Sequence, residues 1–300
     1  MSKTGTIVAG ALTPHPPHLV YADNPPQNEP VAECGWEMLR WGYERMRGDL
    51  DALDYDVIVI CSPHWQTYVG THLLGVPHFK SLSVDPVFPN LFRYHYELDV
   101  DVDLAEAICD EAQSAGLVMK MMKNPDFRVD YGTIVSCHLT RPGWDIPIVG
   151  ISSNRSTSYY NVEVMRAQSI ALGQATKKAI EQSGKRALLL ASNSLSHRHF
   201  TKEGPVPEDM SREHIYNHGQ YLWDMKAIEL FRTGQTRKFV DMLPEFTEQA
   251  VSEADAGSLS WMLSALDFPD YAAELYAYGT VIGTGNAVMS WIPGRGKVQS

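Results

Sequence analysis

Cysteine is scarce in this chain of 300 residues: Cys34, Cys61, Cys109 and Cys137 are scattered, and no two form a CxxC pair. That excludes a thiolate zinc clip and fits thiols kept reduced in a cytoplasmic setting. No run of about 18 apolar residues occurs, so no membrane-spanning helix is expected. The opening MSKTGTIVAGALTPHPP lacks signal-peptide grammar, because its short apolar run gives way at once to proline and histidine. Basic residues are outnumbered, 25 Lys and Arg against 36 Asp and Glu, for a formal net charge of −11. Without a Lys/Arg cluster there is no face for phosphates, and an acidic surface repels anionic membranes. Neither nucleic acid nor membrane is an expected partner. HExxH, GxSxG and GxGxxG are all missing, which removes the zinc-peptidase helix, the nucleophile elbow and the dinucleotide fingerprint.

What is present is an ordinary globular composition, 44% hydrophobic and 20% charged, long enough for a large core. TIVAGAL (Thr6 to Leu12) reads as a buried strand. Leu39, Tyr43, Met46 and Leu50 then recur at helical spacing, and Val57 to Cys61 reads as a second buried strand halted at Pro63. Strand, helix, strand in that order implies parallel pairing with the helix across one face. FPNLFRYHYELDVDVD suggests an antiparallel segment in an otherwise irregular stretch. Asp101 to Gly116 reads as a helix with an acidic start and a glycine stop. DIPIVGISS reads as a strand, Val164 to Ser183 as a helix, and Ala187 to Ala191 as a third buried strand. Helical patterns follow, and then AYGTVIGTGNAV, which reads as turn material. The expectation is a single α/β domain over 1–300, a mixed central sheet flanked by helices.

Each of the three buried strands delivers a polar loop carrying histidine: TPHPPHLV, SPHW and SNSLSHRH. In open α/β sheets ligands collect at the carboxyl ends of strands. Prolines stiffen HPPH by fixing φ and removing N–H donors, and a metal ligand benefits from that. Spacing alone leaves His15 and His18 both open as ligands, with His64 as a partner from the neighbouring loop. Imidazole titrates near neutral pH, so His197 or His199 suits proton transfer. Two histidines and one carboxylate make a face for non-haem Fe(II), but 36 acidic residues compete to be that carboxylate.

TPHPPHLV, CSPHW, VDYGT and ASNSLSH, in this order, resemble the class III extradiol ring-cleavage dioxygenases, the LigB-like superfamily. NPPQNEP with GWEMLRW, SVDPVFPN, FRVDYGT and YGTVIGTGNAVM resemble its aminophenol-cleaving branch more closely, over roughly Thr6 to Trp291. The resemblance implies Fe(II) held by His15, His64 and a glutamate best matched by Glu253 in AVSEADAG, with Asp255 its rival. Read blindly, Glu253 is a solvated helix carboxylate. His197 matches the acid–base histidine. Many members of the superfamily carry Asp-His-Gly where this chain has Asp130-Tyr131-Gly132, so Tyr131 stands beside the substrate in place of a histidine. A phenol, with its reference pKa near 10, is a poorer neutral-pH proton shuttle and suits an orienting role. His138 reads as structural. The implied reaction is O2-dependent ring cleavage of 2-aminophenol to 2-aminomuconate 6-semialdehyde. The implied partner is a homologous alpha subunit in an alpha2beta2 heterotetramer. A substituted catechol is the alternative substrate; a zinc hydrolase or a non-catalytic partner subunit are the alternative identities.

Overall fold

A computed structural model describes residues 4–20, 35–86, 89, 92–154, 161–198 and 215–295. Cys34, His199, the NPPQNEP segment and the 205–211 loop lie outside the described residues, as does part of SVDPVFPN.

The sheet grows from strands whose two faces are both apolar. In β2 (Val57–Thr67), Val57, Val59 and Cys61 face one core while Ile58 and Ile60 face the other. This is the two-fold alternation of a strand buried on both sides. β1 (Thr6–Leu12) and β8 (Arg186–Ala191) do the same. Eight strands form one sheet in the order β6-β3-β7-β2-β8-β1-β10-β9. β7 (Ile148–Asn154), β2, β8 and β1 run parallel; β10 (Thr284–Trp291) and β9 (Glu274–Val281) close one edge antiparallel. β3 (Thr71–Leu74) and β6 (Met119–Met122) close the other. β4 (His78–Val84) and β5 (Arg93–Asp99) make a separate antiparallel hairpin.

Helices cover both faces. α1 (Gly35–Asp51) turns Leu39, Tyr43, Met46 and Leu50 fully inward, as their spacing requires. It shares its layer with α3 (Tyr131–Thr140). The other face carries α2 (Val102–Ser114), α4 (Val162–Ser183) and the carboxyl-terminal helices α5 (His218–Arg232), α6 (Thr236–Asp241), α7 (Leu243–Ala250) and α8 (Gly257–Ala265). α2 opens on Asp101, whose carboxylate accepts the Leu104 N–H, and Gly116 follows its end at φ +86°. No helix among the described residues is long and apolar enough to cross a membrane.

Three local expectations are corrected. β2 does not halt at Pro63: it runs on to Thr67, and its pairing with β7 jumps from Ser62 to Gln66. Pro63 and His64 sit in that bulge, where a missing N–H costs no ladder bond. AYGTVIGTGNAV is not turn material throughout. It forms β9 and β10 around a tight Ile282-Gly283 turn, both residues having positive φ. α3 forms between Gly116 and DIPIVGISS, where the sequence reading places no element. Asp130 caps it by accepting the Thr133 N–H, and nearly every residue inside is buried, which erases the amphipathic signal.

α4 and α8 cross closely because Gly173 has no side chain: a Cβ there would lie 2.4 Å from the Trp261 carbonyl oxygen. Gly173→Ala is expected to destabilise the fold by about 1–3 kcal/mol through overpacking, read as a lower denaturation midpoint. An unchanged midpoint rejects that account of the crossing.

Candidate metal centre

β8 lies between β1 and β2, with Ala191 in register with both Leu12 and Cys61. Beyond that level the chain releases the His15 loop from β1, the His197 loop from β8 and, within β2, the bulge that carries His64, side by side. Thr13 N–H bonds to the Ala191 carbonyl at 2.9 Å and Ser192 N–H to the Cys61 carbonyl at 3.1 Å, which ties the loop starts together.

His15 is buried, and its Nδ1 lies 2.8 Å from Ser192 Oγ. That hydroxyl also meets the Gly132 carbonyl at 3.0 Å and Ser136 Oγ at 2.9 Å, while Ser136 Oγ reaches the Thr13 carbonyl at 2.7 Å. A hydroxyl has one proton to give. With Ser192 donating to Gly132 and Ser136 to Thr13, the His15 ring donates from Nδ1. This assignment uses all three protons. It leaves the Nε2 lone pair for the centre, the usual way an outer hydrogen bond fixes a ligating imidazole.

His64 sits on the β2 bulge. Ser62 Oγ accepts its N–H at 3.3 Å and donates to Asp130 Oδ1 at 2.5 Å, so the α3 cap and the histidine loop share one hydroxyl. A Cβ on Gly132 would fall 2.7 Å from Ser62 Oγ and 3.2 Å from His64 Cδ2. Aspartate before and glycine after Tyr131 are thus required for α3 to approach β2. Tyr131 Oη consequently lies 2.8 Å from His64 Nε2. Burial, then the Glu253, Asp85 and Asp130 charges, push this phenol well above its ordinary value, so it remains a hydroxyl.

Glu253 completes the cluster from a turn, not from the regular helix its sequence suggests. Ala254, Asp255 and Ala256 have φ of 44°, 55° and 54°, and Val251 before them has φ 53°. Left-handed backbone at non-glycine residues costs roughly 1–2 kcal/mol each and concentrates at functional sites. The turn is held by Asn193, whose Nδ2 donates to the Glu253 carbonyl at 3.3 Å while its Oδ1 accepts from Ser258 Oγ at 2.9 Å.

Glu253 Oε1 lies 2.8 Å from His64 Nε2, 3.5 Å from His15 Nε2 and 3.8 Å from His197 Nε2. One ligand atom each of His15, His64 and Glu253 lies within 4.8 Å of the others. Burial alone would raise the Glu253 carboxyl. The adjacent His15 and His64 outweigh it and hold the group well below the carboxylate range. Burial likewise opposes charge on His64, and the Glu253 carboxylate overcomes it and raises that imidazole.

His197 joins from the β8 loop. Its Nδ1 faces the Arg198 carbonyl at 2.9 Å, and a carbonyl only accepts, so Nδ1 carries the proton and Nε2 is the basic nitrogen toward Glu253. His18 is buried against Trp36, ring centroids 4.9 Å apart, and stands outside the cluster. Burial, with Arg40, lowers it to about 4. His138 meets Tyr94 Oη at 3.0 Å on α3, also outside the cluster. Asp255 lines a different cavity, with Ser152, Asn154 and Gln168. Sequence reasoning assigned nothing to Ser192, Asn193 or Asp130; the signals were the Ser/Asn run ending β8 and the Asp-x-x-Thr cap of α3.

The Glu253 Oε2 atom is buried with no hydrogen-bond partner among the described residues. An orphaned carboxylate oxygen beside two imidazole nitrogens is a donor set for a divalent cation. Two histidines and a glutamate also serve some zinc hydrolases, so the donors alone do not choose the metal.

The fold and the centre together define the class. The chain belongs to the family of the catalytic LigB subunit of aromatic ring-opening dioxygenase, which matches residues 9–289. With that membership the His15, His64 and Glu253 cluster fits Fe(II). More particularly, the chain is 53% identical to the 2-aminophenol 1,6-dioxygenase beta subunit of Pseudomonas sp over 287 residues, 96% of this chain and 94% of that one. It is 24% identical to 3,4-dihydroxyphenylacetate 2,3-dioxygenase of Escherichia coli, covering 91% and 95% of the two chains. It is 25% identical to the 2-aminophenol 1,6-dioxygenase alpha subunit of Pseudomonas sp, covering 85% and 91%. The crystal structure of an uncharacterized protein from Escherichia coli K12 shares the fold, with a TM-score of 0.61 at 16% identity, over 94% of this chain and 99% of that one.

Because Ser192 fixes the His15 tautomer, Ser192→Ala is expected to weaken Fe(II) binding about 10- to 100-fold. Chelator competition measures this, and unchanged affinity removes Ser192 from the support of the metal.

Proposed function

We propose that residues 1–300 act as one catalytic domain that opens the ring of 2-aminophenol with O2, giving 2-aminomuconate 6-semialdehyde. The observation that carries this reading is the buried His15, His64 and Glu253 cluster, in a chain 53% identical to a 2-aminophenol 1,6-dioxygenase beta subunit. The product gains both oxygen atoms: the hydroxyl-bearing carbon becomes the carboxylate, the amine stays, and the neighbouring unsubstituted carbon becomes the aldehyde. Iron, when bound, supplies the electron path between an aromatic ring and dioxygen that side chains lack.

His15, His64 and Glu253 hold the metal, and Glu253 offsets one of its two positive charges. The substrate ring lies in a cavity of about 210 Å³ that His64 and Tyr131 line together with Leu82, Val84 and Val129. Those aliphatic side chains give the ring apolar contact, while Ser83, Arg128 and Asp130 line the rest of the cavity. His197 moves protons through Nε2, taking one from the substrate and returning it as the ring opens. Tyr131 orients the substrate through its hydroxyl. That hydroxyl and Glu253 Oε1 both contact His64 Nε2, at 2.8 Å each. With Nε2 deprotonated to hold a metal, the Tyr131 hydroxyl would be free for the substrate. A homologous alpha subunit completes an alpha2beta2 heterotetramer, a reading supported by the likeness to both subunits of the Pseudomonas enzyme.

His64→Ala is expected to abolish iron-dependent turnover with most of the fold retained. Full activity at unchanged iron content rejects His64 as a ligand. His197→Ala is expected to keep its iron and slow kcat by about 10²–10⁴-fold; lost iron with normal turnover at saturating Fe(II) would instead make it a metal-retention residue. Anaerobic reconstitution with Fe(II), followed by oxygen uptake and product spectra on 2-aminophenol and catechols, decides the substrate. Preference for a catechol overturns the aminophenol assignment.

A further inference from the structure

We propose that Asp224 is the positioning residue for His197, clamping the backbone that carries the imidazole. The inference rests on the acid–base reading of His197 given above.

Asp224 lies on α5, fully buried and outside the metal cluster. Three donors converge on its carboxylate: the Ser196 N–H at 2.8 Å, the Ser196 hydroxyl at 2.7 Å and the Tyr278 hydroxyl at 2.7 Å. No cation pairs with it among the described residues, and burial raises its carboxyl to about 6. An unpaired buried carboxylate is costly, and an apolar side chain of the same volume would serve packing better. Its retention asks for a role beyond packing.

The surroundings are cut to fit the clamp. A Cβ on Gly285 would fall 1.9 Å from Asp224 Oδ2 and 2.6 Å from Ser196 Oγ. β10 therefore gives up a side chain where the carboxylate and the serine meet. Gly285 also pairs with the loop through its backbone. Its N–H donates to the Ser196 carbonyl at 3.1 Å, and its carbonyl accepts the Leu195 N–H at 2.9 Å.

One residue further, the same helix grips again. Gln220 lies one turn before Asp224, on the same face of α5, and its Nε2 reaches the His197 carbonyl at 3.4 Å. The His197 N–H bonds to the Ala250 carbonyl at 3.2 Å, just before the strained Glu253 turn. Residues 196 and 197 are thus held from α5, β10 and α7, and Tyr278 of β9 holds Asp224 itself. Of these holds, Asp224 supplies the only charged acceptor, and it binds both the N–H and the hydroxyl of the residue preceding His197. Releasing Ser196 frees the torsions that aim the imidazole, and a misplacement of about 1 Å costs roughly 10²-fold in rate.

The test compares Asp224→Leu, which keeps the volume but not the acceptor, with Asp224→Asn, which keeps an acceptor for the Ser196 N–H. Both are made in the complete iron-loaded enzyme, alone and combined with His197→Ala. Asp224→Leu is expected to lower kcat about tenfold or more with KM within about twofold, and Asp224→Asn to restore much of that loss. Iron per chain stays unchanged. In the double variant the Leu substitution adds little to the loss from His197→Ala, because the two act as one unit. Overturning results are full turnover in Asp224→Leu, a fall explained by lost iron, or losses that multiply in the double variant. If Asp224→Leu does not fold, Asp224→Ala with and without His197→Ala decides: a kcat loss that vanishes in the His197→Ala background supports the clamp, and any other pattern rejects it. Full turnover in His197→Ala alone would overturn the acid–base reading and this assignment with it. A slow His197→Ala with multiplying losses overturns only the assignment to Asp224.

Discussion

A carboxylate sealed away from water with one oxygen unbonded is the constraint around which this molecule is arranged. Removing Glu253 from solvent is unfavourable for its charge, and only positive charge placed against it returns that cost. Two imidazoles at 2.8 and 3.5 Å do so in part, and a divalent cation among them does so fully. The centre therefore carries a demand for metal.

Meeting that demand needs four segments at one place. The parallel run of β2, β8 and β1 brings three of them, because the His64 bulge of β2 lies level with the ends of β8 and β1. The fourth, the Glu253 turn, is bent through left-handed backbone and pinned by Asn193 from the middle loop. Small polar groups do much of the alignment. Ser192 sets the His15 tautomer, Ser62 couples the His64 bulge to the cap of α3, and the Arg198 carbonyl fixes His197. Each of these contacts orients a ring nitrogen toward the same small volume. The enzyme's chemistry depends on that shared aim more than on any one residue.

Tyr131 shows how such a site is altered without disturbing its metal. The residues on either side, Asp130 and Gly132, are fixed by helix capping and by close approach to Ser62, so the backbone holds whichever side chain lies between them. A phenol held neutral by burial and neighbouring carboxylates can donate or accept a hydrogen bond but does not ionise.

Residue order alone carried the buried strands β1, β2 and β8, the amphipathic α1 and the histidine after each of those apolar runs, because burial on both faces and helical spacing are local patterns. It also carried the motifs by which the family is recognised. It misread the span of β2, since a proline looks like a stop until a bulge accommodates it. It missed α3, since a helix buried all round has no polar face. The family motifs favoured His15 over His18 and Glu253 over Asp255; the tertiary structure alone brought the three ligands within reach of one another and set Asp224 against Ser196. Those placements rest on which atoms meet across long stretches of the chain. Local spacing holds no information about such meetings; the packing of β8 between β1 and β2, and of the Glu253 turn on its loop, supplies it.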